Sequence, residues 1–141
     1  SRPRVAMIIN PYINFAGNCE EAFQFYAQLF GGKIEFLQRW ADSPMGAGVG
    51  PDWKQKIMHV RFRAGNNLLM GSDAEPAHFK PPQGFQVTLS FDESAEADRV
   101  FAALSQGGSV VMPIQETYWA ARFGMTVDRF GIPWMINCDK K

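Results

Sequence analysis

Apolar positions along this chain follow two rhythms, and the rhythms alternate. Residues 9–15, "INPYINF", and 85–91, "FQVTLSF", are apolar at every second position, as in a strand with one apolar face. A helical period follows each. Ala22, Phe23, Phe25, Tyr26, Leu29 and Phe30 form one stripe, and Val100, Phe101, Ala103 and Leu104 form another. Asn18 and Ser94 are predicted N-caps, and Glu21 would complete a capping box in the first helix only. Gly31-Gly32 and Gly107-Gly108 end the helices. Strand-like text resumes in "KIEFLQRW" and "SVVMPIQ", then in "KIMHVRFR", "NNLLMGSD", "RFGMTVD" and "PWMINC", with turns at "RAGNN" and "DRFG".

The two halves are copies of one pattern. At a fixed offset Phe15 meets Phe91, Glu20 meets Glu96, Phe25 meets Phe101, and each Gly-Gly meets its counterpart. The order is βαβββ, twice, in modules covering about 8–73 and 84–138 of a single domain spanning 1–141. One half cannot bury its sheet alone. The pattern therefore predicts an α+β fold in which two βαβββ repeats form one curved mixed sheet with the helices on its convex face. Residues 41–55, "ADSPMGAGVGPDWKQ", lack periodicity and read as a mobile loop, a lid. Residues 74–84 link the halves.

Composition narrows the class. The chain has 141 residues, 46% hydrophobic and 20% charged, which suits a globular domain with a full core. Lys plus Arg and Asp plus Glu are both 14, so nothing favours nucleic acid or an anionic membrane as partner. No apolar run is long enough to span a bilayer and no leader pattern precedes the first strand, so a cytoplasmic protein is expected. Cys19 and Cys138 lack zinc-ligand spacing and read as buried free thiols. "MGAGVGPDW" has no following Lys-Ser/Thr, which argues against a phosphate cradle. No glycine-rich strand-to-helix turn with a downstream acid suggests a nucleotide or S-adenosylmethionine site.

The duplication, with "FYAQLFGG" in its first helix, resembles the vicinal oxygen chelate superfamily of glyoxalase I, extradiol dioxygenases and bleomycin-resistance proteins. "INPYINFAGNCEEAFQFYAQLFGG", "IMHVRF", "LLMGSD" and "MPIQETYWAARFGMTVDRFGIPWMIN" look like its PhnB-like branch, often labelled a 3-demethylubiquinone-9 3-methyltransferase-like domain. The resemblance implies the glyoxalase/bleomycin-resistance fold, a cupped cavity and a homodimer. It implies little about chemistry, because one fold hosts many functions. Metal enzymes of the superfamily carry ligands on the first and last strand of each half. The matching positions here are Asn10, Met70 or Gly71, Gln86 and Met135. None is a His or a carboxylate, so the standard metal centre is not expected and a divalent metal is disfavoured.

Alternation supplies the candidate site. His59 and Arg61 share a face of "IMHVRF", opposite Met58, Val60 and Phe62, and His59 is the candidate catalytic residue. A structural, hydrogen-bonded His is the competing reading. His78, in the Pro-rich linker, reads as solvated. Asn10, Tyr12, Asn14, Gln86, Thr88, Ser90, Arg122, Thr126 and Asn137 would line the cup. Trp40 and Trp119 are candidate stacking walls, and Trp134 and Ile136 should pack under the second helix while Met135 faces the cavity. The expected ligand-binding set is Tyr12, Trp40, Arg61, Gln86, Trp119 and Arg122. Three functions stay open: a small-molecule binder with no cofactor; a metal-independent lyase or isomerase using His59 with Arg61 or Arg122 as oxyanion stabiliser; and a metalloenzyme with non-standard ligands. The methyltransferase label finds no support in the sequence.

Overall fold

A strand, a helix and three further strands repeat twice in the computed structural model, which describes residues 6–141; the Ser-Arg-Pro-Arg opening lies outside the described residues. The first module comprises β1 (Tyr12–Phe15), α1 (Cys19–Phe30), β2 (Lys33–Arg39), β3 (Ile57–Ala64) and β4 (Asn67–Asp73). The second comprises β5 (Val87–Phe91), α2 (Ser94–Ser105), β6 (Ser109–Gln115), β7 (Ala120–Val127) and β8 (Pro133–Asp139). The chain divides into two compact units between His78 and Phe79, inside the expected linker.

The α+β class and the two βαβββ repeats are as expected. Hydrogen bonding is partitioned by module: one four-stranded sheet runs β1-β4-β3-β2, the other β5-β8-β7-β6. No ladder among the described residues joins the two, so the single curved sheet becomes two sheets. In each, the first strand runs parallel to the last and the remaining pairs are antiparallel. The registers match as well. Ile34 pairs with Phe62 and Phe36 with Arg61, leaving Glu35 extra; Val110 pairs with Thr126 and Met112 with Met125, leaving Val111 extra. The same β-bulge therefore recurs at the same place in both repeats.

One face of each sheet is closed by its helix. Ile13, Phe15, Val60, Phe62 and Leu69 are buried with Ala22, Phe23 and Tyr26 of α1. Ile136 and Trp134 are buried with Ala97, Val100, Phe101 and Leu104 of α2. Burying each large side chain contributes about 1.5–3 kcal/mol. Both helices sit close to the sheet because a strand residue beneath them is glycine. A Cβ on Gly71 would lie 2.8 Å from a Phe23 ring carbon, and one on Gly124 would lie 2.8 Å from a Phe101 ring carbon.

Four local expectations are corrected. The capping box does not form: Asn18 makes no side-chain cap bond. Helix α2 starts at Ser94 with Glu93 in the cap position, and the Ser94 hydroxyl instead lies 3.8 Å from Cys138 Sγ. Ile57, not Met58, is the fully buried residue at the start of β3, because a second irregularity sets Gln38 against His59 and Arg39 against Ile57. Residues 41–55 are not an irregular loop. Short 3-10 helices cover Trp40–Asp42, Pro44–Gly48 and Pro51–Trp53, the last two with proline in the first turn. Backbone bonds from Trp40 N to Lys56 O (3.0 Å) and Ala41 N to Lys54 O (2.8 Å) close the segment at its base.

Candidate functional site

The face of the first sheet turned away from α1 carries the chemistry. Register builds it in rows. Phe36, Arg61, Met70 and Tyr12 stand side by side across β2, β3, β4 and β1. The neighbouring row sets Gln38 beside His59 and Ser72 beside Asn14. Tyr12 reaches diagonally to His59: its hydroxyl lies 3.0 Å from His59 Nδ1, and the two rings stack at 5.6 Å with 15° between planes. Phe36 closes the other side of the imidazole at 5.8 Å. Ser72 Oγ donates to Asn14 Oδ1 at 3.4 Å.

The electrostatics fit a neutral imidazole. Partial burial, and then the Arg61 charge, hold His59 below the usual histidine pKa. Burial raises the Tyr12 phenol, against a hydrogen bond with Ser72. Arg61 is tied at its base. The bulged Glu35 accepts from Arg63 Nε at 3.0 Å, from Arg63 Nη2 at 3.2 Å and from Arg61 Nε at 3.4 Å. The Arg63 hydrogen bond, with Arg61 contributing less, holds the Glu35 carboxyl below its ordinary range.

A second cluster lies at the start of α1, on the buried side. Asp73 Oδ1 accepts from Gly17 N (2.9 Å) and Cys19 N (3.0 Å), and Oδ2 accepts from Ile57 N (2.9 Å). This carboxylate, not Asn18, caps the helix, where negative charge also meets the positive end of the helix dipole. Burial pushes the Asp73 carboxyl up, opposed by those three amides. Trp40 is tied to this cluster: its indole N–H donates to Asp73 O at 3.2 Å. Cys19 is fully buried and its thiol is pushed far up by burial and by Asp73, so it is no nucleophile.

In the second module the open face is different in kind. Thr88, Ser90, Met135 and Asn137 stand on β5 and β8, with Phe123, Met125 and Met112 beyond them. Met135 is half-buried between buried Trp134 and Ile136, as expected, and the register makes it the counterpart of Met70. Trp119, in the turn before β7, packs edge-on against Phe123 at 5.3 Å and Tyr118 at 4.8 Å.

Of the expected set, Tyr12, His59 and Arg61 come together. Gln86 is exposed and precedes β5 by one residue. Arg122 and Thr126 are corrected: both lie on the face under α2. Arg122 pairs with buried Cys138 and binds Asp98 of that helix, with Nε 3.0 Å from Oδ1 and Nη2 3.1 Å from Oδ2. Thr126 is buried, accepting from Ser105 Oγ at 2.8 Å and donating to Ser109 O at 3.3 Å. Glu35, Asp73 and the buried Asp128 carry no weight in the sequence pattern. Only Asp73 leaves a trace there, since Leu69, Gly71 and Asp73 share the buried face of β4. The positions matching the superfamily's metal ligands hold amides, thioethers or glycine, and among the described residues no three His, Cys, Asp or Glu side chains are placed to hold an ion. These donors do not fit the standard divalent centre.

Two modules of strand, helix and three strands, each with one covered and one open sheet face, define the glyoxalase-type fold. A glyoxalase/bleomycin resistance protein/dioxygenase family enzyme from Burkholderia phytofirmans shares it, with TM-score 0.62 and 16% identity over 92% of this chain and 97% of that one. The chain belongs to the 3-demethylubiquinone-9 3-methyltransferase family, whose profile matches residues 7–137, and within it to the PhnB-like proteins. Protein PA1353 from Pseudomonas aeruginosa is 47% identical over 96% of this chain and 100% of that one, with TM-score 0.87. The putative 3-demethylubiquinone-9 3-methyltransferase, PhnB protein, from Bacillus cereus is 26% identical over 94% of this chain and 99% of that one, with TM-score 0.76. Protein YjdN of Escherichia coli K12 is 34% identical over 96% of this chain and 97% of its own length. Among the described residues no helix is long and apolar enough to cross a membrane.

Proposed function

We propose that this protein binds a small organic molecule on the open face of its first module, using His59, Tyr12 and Arg61 and no standard chelate metal. The supporting observation is the Tyr12–His59 pair, stacked and hydrogen-bonded on a face that α1 does not cover. Tyr12 remains 45% exposed, so its ring edge is available to a planar ligand. Arg61 beside it suits carbonyl or anionic oxygen, softened by Glu35. A cytoplasmic homodimer is the working form. Exposed Ile8, Ile9 and Val111 support pairing of copies, and sedimentation of the purified protein tests it.

A compound screen by thermal melting tests binding, with S-adenosylmethionine among the compounds because of the family's name. Ligands should raise the melting temperature of the native chain and lose most of that effect in Tyr12→Phe and His59→Ala. A shift that survives both substitutions would move the site elsewhere. The second reading is a metal-independent lyase or isomerase with His59 as base. Its support is the neutral imidazole beside a fixed guanidinium. It predicts that His59→Ala keeps a ligand-induced shift and loses turnover. Metal analysis decides the third reading: stoichiometric zinc, nickel or iron would overturn the metal-independent site.

A further inference from the structure

Cations outnumber carboxylates at one end of the first module's open face. Register sets Lys33 of β2 directly opposite Arg63 of β3, and Arg61 stands two residues before Arg63 on the same face. Like charges directly opposite each other cost stability in a sheet. The carboxylate that stands among these cations is Glu35, and it is shared unequally. Arg63 grips it with two nitrogens, Nε at 3.0 Å and Nη2 at 3.2 Å, whereas Arg61 reaches it only through Nε at 3.4 Å. Nη1 and Nη2 of Arg61 make no hydrogen bond among the described residues. The guanidinium edge that can hold a carboxylate with two parallel bonds is therefore unused, on a side chain that is 38% exposed.

Apolar surface lies on both sides of that edge. The row Phe36, Arg61, Met70, Tyr12 puts one aromatic residue next to Arg61 and another two strands away, with the Met70 thioether between. Two strand spacings are about 10 Å, room for one aromatic ring with a carboxylate on it. Resting on the ligand-site reading above, we infer that this face selects planar aromatic carboxylates. The carboxylate takes the Nη edge of Arg61, and the ring lies over Met70 toward Tyr12, where sulfur and aromatic contacts are favourable. Phe36, 45% exposed, stands beyond Arg61 and shields that side of the ion pair from water. Glu35 ties Arg63 and, as a like charge, limits how tightly the ligand is held.

Benzoate and benzamide, alike in shape and different in charge, test the class. Each is titrated at constant ionic strength and neutral pH against the His59 ring resonances of the intact protein. Benzoate should bind about tenfold more tightly, the worth of a charge-assisted hydrogen bond. Arg61→Gln should abolish that preference and leave benzamide binding in place. Glu35→Gln should strengthen benzoate binding about threefold and leave benzamide unchanged, because only the anion feels that charge. A gain in affinity does not come from misfolding, so this arm decides even where the arginine variant is unstable. Equal binding of the two compounds by the native protein, a preference that survives Arg61→Gln, or an unchanged benzoate affinity in Glu35→Gln would each overturn the carboxylate class. The two readings fail separately. Benzamide binding as tightly as benzoate keeps the site and loses only the class, whereas no shift of His59 with either compound loses both.

Discussion

The two modules share a backbone and differ in wiring. Sheet order, register, the bulge at Glu35 and Val111, and the glycine under an aromatic helix residue all repeat. The charges do not. In the first module Asp73 ends β4 opposite Phe15 and holds the start of α1. In the second the matching position, opposite Phe91, is Cys138, whose sulfur makes only weak contacts with Ser94 and Asp139 O. The second module's buried carboxylate is Asp128, and it serves a turn. Its oxygens accept from Phe130 N at 2.9 Å, Ile132 N at 3.0 Å and Trp134 Nε1 at 2.8 Å. The reason lies in turn length. In the first module Ala64 pairs with Asn67 across a two-residue turn, which Gly65 makes with φ 60°. In the second Val127 pairs with Pro133, and the longer loop has more amides to satisfy. Open faces diverge too: Tyr12, His59 and Arg61 in one, Phe123, Met125 and Met135 in the other. A duplicated frame fixes where side chains stand, and each copy has given those places to different chemistry.

The largest expected effect breaks that contrast at the helix start. Asp73→Ala strands three amide donors, two of them buried, and should destabilise the first module by about 3–5 kcal/mol. Cys138→Ala removes a small buried group with weak bonds and should cost about 1 kcal/mol. Denaturant unfolding gives the two values, and hydrogen exchange should show protection lost at Cys19 and Ile57 in the first variant only. Equal losses would mean that the cap is not what separates the modules.

A smaller effect sharpens the likeness. Gly71→Ala and Gly124→Ala each push a methyl group against an aromatic ring and against backbone, Ile13 O at 2.8 Å in one case and Ile114 Cα at 3.0 Å in the other. Each should destabilise by about 1–3 kcal/mol, and the two should agree within about 1 kcal/mol. A harmless substitution at either site would show that the two helices are not seated alike.

Much of this was legible in the sequence because it is periodic. The repeats, both helices and most strands follow from spacing that a duplicated core requires. Tyr12, His59 and Arg61 followed from simple alternation on strands one residue deep in pattern. What escaped depended on distance or on close packing. The cap of α1 comes from a residue 54 positions away from Cys19, so the local Asn18–Glu21 pattern was the wrong place to look. Arg122 and Thr126 looked like an open polar face. Yet α2 sits so close over β7 that this side needs a glycine at 124, a hydrogen-bonded Thr126 and a paired arginine. Trp40 looked like a surface aromatic until the end of β4 accepted its N–H. The bulge at Glu35 breaks the alternation of Ile34 and Phe36: Ile34 pairs with buried Phe62, while Phe36 is turned to the open face beside Arg61, where Glu35 meets both Arg61 and Arg63.

The smallest effect asks whether His59 depends on charges that only the first module has. Register makes Met125 the counterpart of Arg61, so Arg61→Met gives the first module the second module's residue. Burial is the larger cause of the lowered His59 pKa and Arg61 the smaller. In NMR titrations the variant's midpoint should therefore rise, yet stay below that of an unfolded histidine. The sign carries into stability. A folded pKa below the unfolded one means that the imidazolium is disfavoured in the fold. This contribution is complete above the unfolded value near 6.5 and is lost as pH falls through that value toward the folded pKa. Arg61→Met should flatten that part of the pH–stability curve, and the same change in slope should appear in urea midpoints measured from neutral to mildly acid pH. If the midpoint does not move, Glu35 already cancels the Arg61 charge at His59, and the imidazole is kept neutral by burial alone.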